Sequence, residues 1–233
     1  MTPPIDDPET LRRVLAGTEA LLLDFDGPIC SVFAGIPAPA VADQLRGILA
    51  EGGHTDLPAD VRAAADPFEV LFYAAKLGQD EVRYVEAAFR AHEVEAVQSA
   101  QPTPGTADLM CAWKARGLPL AVVSNNSTAA VETYVDIHGM REDINFVSAR
   151  TGADIALLKP SPFLVTEAAN RLSVAYNRCT LVGDSATDIQ AALAAHIRSI
   201  GFANKSGKGR RLSAEGADVV IARMDRLLAA VQP

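Results

Sequence analysis

Short apolar runs alternate along this chain with longer segments in which apolar residues recur every three to four positions. The short runs suit strands that are buried on both faces of a sheet, and the longer segments suit helices. This alternation predicts an α/β fold in which helices cover both faces of a parallel sheet. The predicted strands are residues 20–25, 119–123, 144–147, 179–182, 197–202 and 218–221.

Residues typical of helix ends mark the segments between these strands. Gly117 and Gly139 stand where helices would end, and Ser127 precedes a periodic segment at an N-cap position. Ser161 followed by Pro162 indicates another helix start. The predicted helices of this part are residues 106–116, 127–138, 162–172, 185–195 and 224–231.

The stretch from Ile29 to Thr103 departs from the alternation. It contains no good strand, and helix-forming residues with a 3.6-residue period occupy most of it. The turn-forming sequence at 101–105 closes it. We therefore expect a core formed by residues 1–28 and 104–233, with an all-helical domain, residues 29–103, inserted after the first strand. Its predicted helices are 38–49, 60–65, 67–77 and 79–97.

Composition and charge narrow the possible functions. The chain has 233 residues and a net charge of −8, which argues against nucleic acid or an anionic membrane surface as its main partner. No apolar run approaches the roughly 18 residues of a membrane span, and the acidic, proline-containing start lacks a signal-peptide pattern. We expect a cytoplasmic monomer or homodimer whose three scattered cysteines, Cys30, Cys111 and Cys179, are reduced.

Four polar clusters lie at or just after the carboxyl ends of predicted strands, where open parallel sheets bind ligands. In the first, Asp24 and Asp26 are two residues apart on an extended chain, so both carboxylates point to one side. Such a pair can hold a divalent cation, or divide nucleophile and proton-transfer roles between its members. By itself the pair could also be a solvated turn.

The second and third clusters suit the binding of phosphate. Ser124 and Asn125 lie at a strand-to-helix turn whose backbone N–H groups can bind phosphate oxygens, although the turn could simply lead to the N-cap Ser127. Lys159 stands beside two prolines that restrict its position, and it could neutralise a phosphoryl group and a carboxylate nucleophile together. A lone lysine is otherwise a solvated surface charge.

The fourth cluster contains Asp184 and Asp188, which are one helical turn apart. That spacing lets one carboxylate ligate a metal ion while the other orients the groups around it. The alternative interpretation is that Asp184 or Ser185 is only a helix N-cap.

Together the four clusters resemble, in order and in spacing, the four motifs of the haloacid dehalogenase superfamily. The resemblance runs from about residue 20 to residue 230. It is closest to the phosphoglycolate phosphatase and β-phosphoglucomutase branch, whose members carry a helical cap after the first motif. It implies a Rossmann-like parallel-sheet core with residues 29–103 as the cap.

The resemblance also implies a role for each acidic residue. Asp24 would be the nucleophile and a Mg²⁺ ligand. Asp26 would be the general acid and base, with its backbone carbonyl on the metal ion. Asp184 would ligate Mg²⁺, and Asp188 would support the metal ligands without contacting the ion itself.

The remaining motif residues would hold the transferred group. The Ser124 hydroxyl and the Asn125 N–H would bind the phosphoryl oxygens, and Lys159 would bridge that group to Asp24. The implied function is hydrolysis of a small phosphorylated metabolite through an aspartyl-phosphate. Asp26 favours a phosphatase or phosphomutase, because dehalogenases of this superfamily lack that carboxylate. A phosphomutase acting on a sugar phosphate is the first alternative, and a catalytically silent binding module is the second.

Two sets of cationic residues fall outside these motifs. The first set, expected in a solvated loop that could also attract an anionic substrate, is Lys205, Lys208, Arg210 and Arg211. The second set, candidate substrate contacts of the cap that could equally be surface charges, is His54, Arg62, Lys76 and Arg83.

Overall fold

The computed structural model describes residues 5–231, and a six-stranded parallel sheet organises them. The strands are β1 (Ala20–Leu23), β2 (Cys30–Ser31), β3 (Gln101–Pro102), β4 (Leu120–Ser127), β5 (Phe146–Arg150), β6 (Cys179–Gly183), β7 (Arg198–Phe202) and β8 (Val219–Ile221). The large sheet has the order β5-β4-β1-β6-β7-β8, and every pairing in it is parallel. All six predicted strands are therefore present, with ends that differ by a few residues. The predicted core residues 1–4 and 232–233 lie outside the described part of the chain.

Helices connect the strands and cover both faces of the sheet. They are α1 (Pro8–Ala16), α2 (Ala38–Glu51), α3 (Ala59–Ala63), α4 (Pro67–Leu77), α5 (Gln79–Ala96), α6 (Thr106–Ala115), α7 (Thr128–Ile137), α8 (Phe163–Leu172), α9 (Ala186–Ala194), α10 (Lys208–Ala214) and α11 (Asp225–Val231). Among the described residues, no helix is both long and apolar enough to cross a bilayer.

Two of these helices were not predicted from the sequence. Helix α1 begins with Asp7, whose carboxylate accepts a hydrogen bond from the backbone N–H of Glu9. Helix α10 is basic and contains Gly209, so its intrinsic helix propensity is low. It forms because Leu212 packs on the sheet beside Gly201 and Val220. One predicted cap is wrong in detail: Pro162, and not Ser161, is the N-cap of α8, although the Ser161 hydroxyl accepts a 3.4 Å hydrogen bond from the Phe163 N–H.

The central strand β1 separates two apolar layers. Leu21 and Leu23 face one layer, while Ala20 and Leu22 face the other, as the alternation of side chains along a strand requires. All four residues are fully buried. Because β1 has strands on both sides and helices on both faces, its carboxyl end is fixed on every side.

The insert after β1 is helical, as predicted, except at its two ends. There β2 and β3 pair antiparallel, Cys30 with Pro102 and Ser31 with Gln101. The two-residue strands are too short to produce a periodic pattern in the sequence. They pair because the chain enters and leaves the insert at one place, where the Thr103 hydroxyl donates a 2.5 Å hydrogen bond to the Gly27 carbonyl.

Replacing Leu22 with Ala should lower the free energy of unfolding by about 2–5 kcal/mol, because the cavity forms in the middle of the sheet. The matched control is Leu193→Ala, since the Leu193 side chain on α9 is 64% exposed. Chemical denaturation followed by circular dichroism measures both changes. Equal losses in the two variants would contradict this account of the core.

Candidate active site

Asp24 stands at the first position beyond β1, at the carboxyl edge of the sheet. Its backbone N–H donates to the Val182 carbonyl of β6 at 2.9 Å, which holds the residue against the neighbouring strand. Its carboxylate Oδ1 accepts a 2.8 Å hydrogen bond from the Phe25 N–H. Gly27 turns the chain away with a φ of +112°, and a Cβ there would collide with the Asp184 carboxylate. Glycine is therefore needed at position 27 itself, where a side chain would occupy the space of the Asp184 carboxylate.

Lys159 is buried among the acidic residues rather than solvated at the surface. Its ammonium donates to Asp24 Oδ1 at 2.8 Å and to Asp188 Oδ1 at 2.5 Å. Its third hydrogen bond goes to the Val123 carbonyl at 3.1 Å. All three donors of the ammonium are thus used within the protein. The structure therefore excludes the surface-charge interpretation of Lys159.

The charges around Lys159 shift the pKa values of its partners in opposite directions. Burial, and then the negative charge of Asp188, raises the pKa of Asp24 well above its usual range. Burial also works to raise the pKa of Asp188, but the charge and hydrogen bond of Lys159 outweigh it, so that pKa is lowered. Burial works to lower the pKa of Lys159, yet the two carboxylates raise it above its usual range. Lys159 is therefore a permanent cation.

Asp188 is held at the start of α9 by a reciprocal cap. Its N–H donates to the Ser185 hydroxyl at 3.2 Å, and its Oδ2 accepts from the Ser185 N–H at 2.9 Å. A Cβ on Gly183 would lie 2.3 Å from the Asp188 side chain, so glycine is needed at that strand end. The sequence alternative that Ser185 caps this helix is confirmed. The same cap fixes the carboxylate that Lys159 contacts.

Asp26 lies two residues beyond Asp24, and its carboxylate is bound by a backbone N–H rather than by Lys159. Its Oδ1 accepts a 3.0 Å hydrogen bond from the Val32 N–H across the turn into the insert. Burial raises the pKa of Asp26 to about 6. Near neutral pH this group can therefore both carry and release a proton.

Three carboxylates at this edge are placed to hold a cation. Oxygen atoms from Asp24, Asp184 and Asp188 all lie within 4.8 Å of one another. Oxygen-only donors suit a hard divalent cation such as Mg²⁺. Lys159 pairs with Asp24 and Asp188, and Lys208 pairs with Asp184, so two cations face three carboxylates. The remaining negative charge is compatible with a divalent cation, as is the donor chemistry. The sequence assigned Asp26, through its backbone carbonyl, to the metal in place of Asp188.

Ser124 and Asn125 lie where β4 loses its regular pairing with β5, between Ser124 and Ser127. The Asn125 side chain donates to the Lys159 carbonyl at 3.0 Å and accepts from the Lys159 N–H at 2.8 Å. The Ser124 hydroxyl donates to the Asn126 side chain at 3.1 Å. Ser127 caps α7, so the capping interpretation is confirmed, while phosphate binding by Ser124 and Asn125 stays a prediction. The structure brings Ser124, Asn125 and Lys159 to one place.

The prediction of a solvated loop for Lys205, Lys208, Arg210 and Arg211 is wrong for the last three, which lie in helix α10, although Arg210 and Arg211 are exposed as expected. Lys208 begins α10, and its ammonium forms an ion pair with the Asp184 carboxylate. Asn204 also donates to that carboxylate, at 3.3 Å. The interaction connects segments that are distant in the sequence, so the local charge pattern could not reveal it.

A cleft of about 570 Å³ separates the acidic cluster from the insert. Its insert side is mainly apolar and aromatic, with one carboxylate, Asp66. The insert residues that line it are Phe33, Ala38, Pro39, Ala65, Asp66, Pro67, Phe68 and Phe72.

None of the four cap candidates lines this cleft. His54 contacts Glu81 at 3.1 Å, Arg62 contacts the Leu57 carbonyl at 2.7 Å, and Lys76 is exposed. Arg83 lies 3.8 Å from Asp80 at the surface. Arg62, Lys76 and Arg83 lie on helix surfaces and His54 lies in the segment after α2, and these positions keep all four away from the cleft.

Three buried charged residues behind Ser124 were not predicted. Glu86 and Glu93 lie on α5, and both contact Arg150 at the end of β5. A signal was present: the two glutamates are seven residues apart, on the apolar face that also carries Phe89.

Residues 18–196 match a family described as haloacid dehalogenase-like hydrolases. The chain belongs to this family. The phosphoglycolate phosphatase of Shigella boydii serotype 4 is 30% identical over 154 residues, which cover 66% of this chain and 60% of that relative. This chain thus matches less than two thirds of that relative's length.

A second relative and a solved structure extend the similarity over most of the chain. A plasmid-encoded phosphoglycolate phosphatase of Cupriavidus necator is 27% identical over 226 residues, covering 92% of this chain and 93% of the relative. A crystal structure of a haloacid dehalogenase family hydrolase from Deinococcus radiodurans, with bound phosphate and sodium, superposes with a TM-score of 0.61. It is 25% identical and covers 93% of this chain and 96% of that one.

Replacing Lys159 with Met should lower the free energy of unfolding at pH 8 by about 3–5 kcal/mol, because two buried carboxylates lose their counter-ion. The loss should shrink at pH 5. Without the ammonium the native carboxylates have raised pKa values, so the native state binds more protons than the unfolded chain and gains stability as the pH falls. Urea unfolding at both pH values measures this.

The control for that variant is Lys114→Met, which removes a half-exposed lysine paired with Asp143. It should change stability little at either pH. A similar, pH-independent loss in both variants would contradict the role of Lys159 as the buried counter-ion.

Proposed function

We propose that this protein is a Mg²⁺-dependent phosphatase that hydrolyses a small phosphate monoester through an aspartyl-phosphate on Asp24. The observation that carries the proposal is the buried contact of Lys159 with Asp24, beside Asp184, Ser124 and Asn125. Membership of the haloacid dehalogenase-like hydrolase family supports it. The names of the similar Shigella and Cupriavidus proteins make phosphoglycolate the first ester to test.

Asp24 is the proposed nucleophile. Hydrogen bonds from Lys159 and from the Phe25 N–H fix the orientation of its carboxylate at the mouth of the cleft. In the first step a carboxylate oxygen of Asp24 attacks phosphorus, and the bond to the leaving alcohol breaks. In the second step water attacks the same phosphorus and returns Asp24 as a carboxylate.

Asp26 is the proposed general acid and base. Its pKa of about 6 leaves a protonated fraction that can protonate the leaving alcohol, and the resulting carboxylate can then accept a proton from the attacking water. The Asn125 N–H, the Ser124 hydroxyl and the Lys159 ammonium are the proposed donors to the phosphoryl oxygens. To donate there, Ser124 would exchange its present hydrogen bond to Asn126, and Lys159 would exchange one of its three present hydrogen bonds. Bonds between the Asn125 side chain and the Lys159 backbone keep these donors in register.

Asp24, Asp184 and the backbone carbonyl of Asp26 are the proposed ligands of Mg²⁺, with Asp188 supporting them. When bound, the cation would neutralise the carboxylates and the charge on the phosphoryl oxygens. Asp188 suits the supporting role because both of its oxygens are engaged, one by Lys159 and one by Ser185.

Residues 29–103 are the proposed cap, which would shield the aspartyl-phosphate from water and select the leaving group. The aromatic surface above the acidic cluster supports this assignment. A phosphomutase is not favoured, because the relatives described above are named as phosphatases. A silent binding module is not favoured either, since Asp24, Asp26, Ser124, Lys159 and Asp184 are all present.

Asp24→Asn should abolish release of inorganic phosphate while the fold stays intact, because an amide cannot act as the nucleophile. The assay should use phosphoglycolate and a panel of other small phosphate esters with Mg²⁺. Asp136→Asn is the control, since Asp136 is exposed on α7 and, among residues 5–231, forms its ion pair with Arg141. More than a few per cent of wild-type turnover in Asp24→Asn would rule out the covalent route.

Activity should depend on Mg²⁺ and disappear with a chelator, and Ca²⁺ should restore it poorly. Ca²⁺ takes more ligands and binds carboxylates in a bidentate manner, which would misorient Asp24. Titration of the metal-free protein, with turnover and calorimetry followed together, tests this. Full turnover in chelator would remove Asp184 from its proposed role.

A further inference from the structure

A buried arginine outside the proposed chemistry lies directly behind the loop formed by residues 124–126. Arg150 is 2% exposed, and its Nε donates to the Asn125 carbonyl at 3.0 Å. Its Nη2 donates to Glu93 Oε2 at 2.5 Å, and its Nη1 donates to Glu86. The guanidinium also lies over the Phe89 ring, 4.9 Å from its centre. One side chain therefore joins α5 of the insert to this loop.

Glu93 makes a second, independent connection to the loop. It is fully buried, and its Oε1 accepts from the Asn126 amide at 3.0 Å while its Oε2 accepts from the Ser127 N–H at 3.0 Å. Asn126 in turn accepts the hydrogen bond of the Ser124 hydroxyl through its Oδ1. The amide of Asn126 is thus oriented by Glu93, and the hydroxyl of Ser124 is oriented by Asn126.

The cost of burying Arg150 and Glu93 indicates that these residues do more than hold α5 against the core. Burying ion pairs is costly, and well-packed apolar side chains can replace such pairs with little loss of stability. Apolar side chains could not hold the Asn125 carbonyl, the Asn126 amide or the Ser127 N–H. Glu86 differs from Glu93 in this respect, because its other ionic contact is Arg90 on the outer side of α5.

We propose that Arg150 and Glu93 are positioning residues for the phosphoryl-binding loop, and that the insert thereby sets the geometry of the core site. Arg150 fixes the Asn125 backbone, and Glu93 fixes the Ser124 hydroxyl through Asn126. The Asn125 side chain in turn hydrogen-bonds the backbone of Lys159 and so positions that residue. This inference rests on the proposed function, since it takes Ser124, Asn125 and Lys159 as the groups that bind the phosphoryl oxygens.

The test compares Glu93→Gln with Glu86→Gln in the full-length protein. Both variants neutralise a buried carboxylate that contacts Arg150, but only Glu93 also contacts the loop. In Glu93→Gln an amide replaces one acceptor oxygen, so a loop donor or Arg150 loses its partner. Affinity for inorganic phosphate, measured by calorimetry with Mg²⁺, should fall about 10- to 100-fold in Glu93→Gln. It should stay within about 3-fold of wild type in Glu86→Gln.

Kinetics and thermal unfolding separate positioning from stability. Glu93→Gln should lower kcat for a hydrolysed ester, whereas Glu86→Gln should lower only the melting temperature. If Glu93→Gln does not fold, Arg150→Lys replaces it, because lysine keeps the charge but cannot reach all three partners. Its control is Arg198→Lys, since Arg198 also contacts three backbone carbonyls, those of Val14, Gly17 and Asn177, away from the site.

Two failures of the test are distinguishable. If Glu93→Gln or Arg150→Lys keeps wild-type phosphate affinity and kcat, the ion pairs are only structural and the inference is overturned. If the wild-type protein neither binds inorganic phosphate nor releases it from any ester, the proposed function fails, and the inference fails with it.

Discussion

The buried ammonium of Lys159 is the interaction on which the arrangement of this site depends. Three carboxylates meet at the carboxyl edge of the sheet, and burial makes their negative charge costly. Lys159 offsets part of that charge through Asp24 and Asp188, and its third hydrogen bond ties it to β4. Lys208 pairs with the third carboxylate, Asp184, and the negative charge that remains uncompensated is compatible with a bound divalent cation.

The parallel sheet explains why these groups meet at all. Strands β1, β4 and β6 are neighbours and point the same way, so their carboxyl ends place Asp24, Ser124 and Asp184 along one edge. Each strand end also carries a backbone feature that fits its neighbour: Gly27 makes room for Asp184, and Gly183 makes room for Asp188. The rigid, apolar sheet thereby fixes polar groups that would otherwise repel one another.

Hydrogen bonds and ion pairs, in addition to the two chain connections, join the insert to the core. Its two ends pair with each other through β2 and β3, and the Thr106 hydroxyl donates to the Pro28 carbonyl at 2.6 Å. Helix α5 is further joined to β5 and to the loop after Ser124 through Arg150. On the other side of the cleft, Phe68 and Phe72 of α4 lie opposite the acidic cluster.

The sequence by itself determined the six strands of the large sheet, the helices apart from α1 and α10, the mainly helical character of residues 29–103, and the positions of the motif residues from Asp24 to Asp188. These features depend on the local periodicity of apolar residues and on short motifs, and both can be recognised from residues that are close together in the sequence. Only the tertiary structure decided the β2–β3 pairing, the contact of Lys208 with Asp184, and the burial of Arg150 between Glu86 and Glu93. Each of these joins residues that are far apart in the chain, and their energy comes from pairing and desolvation that exist only after folding. For the same reason the charges of His54, Arg62, Lys76 and Arg83 could not show that their side chains face away from the cleft.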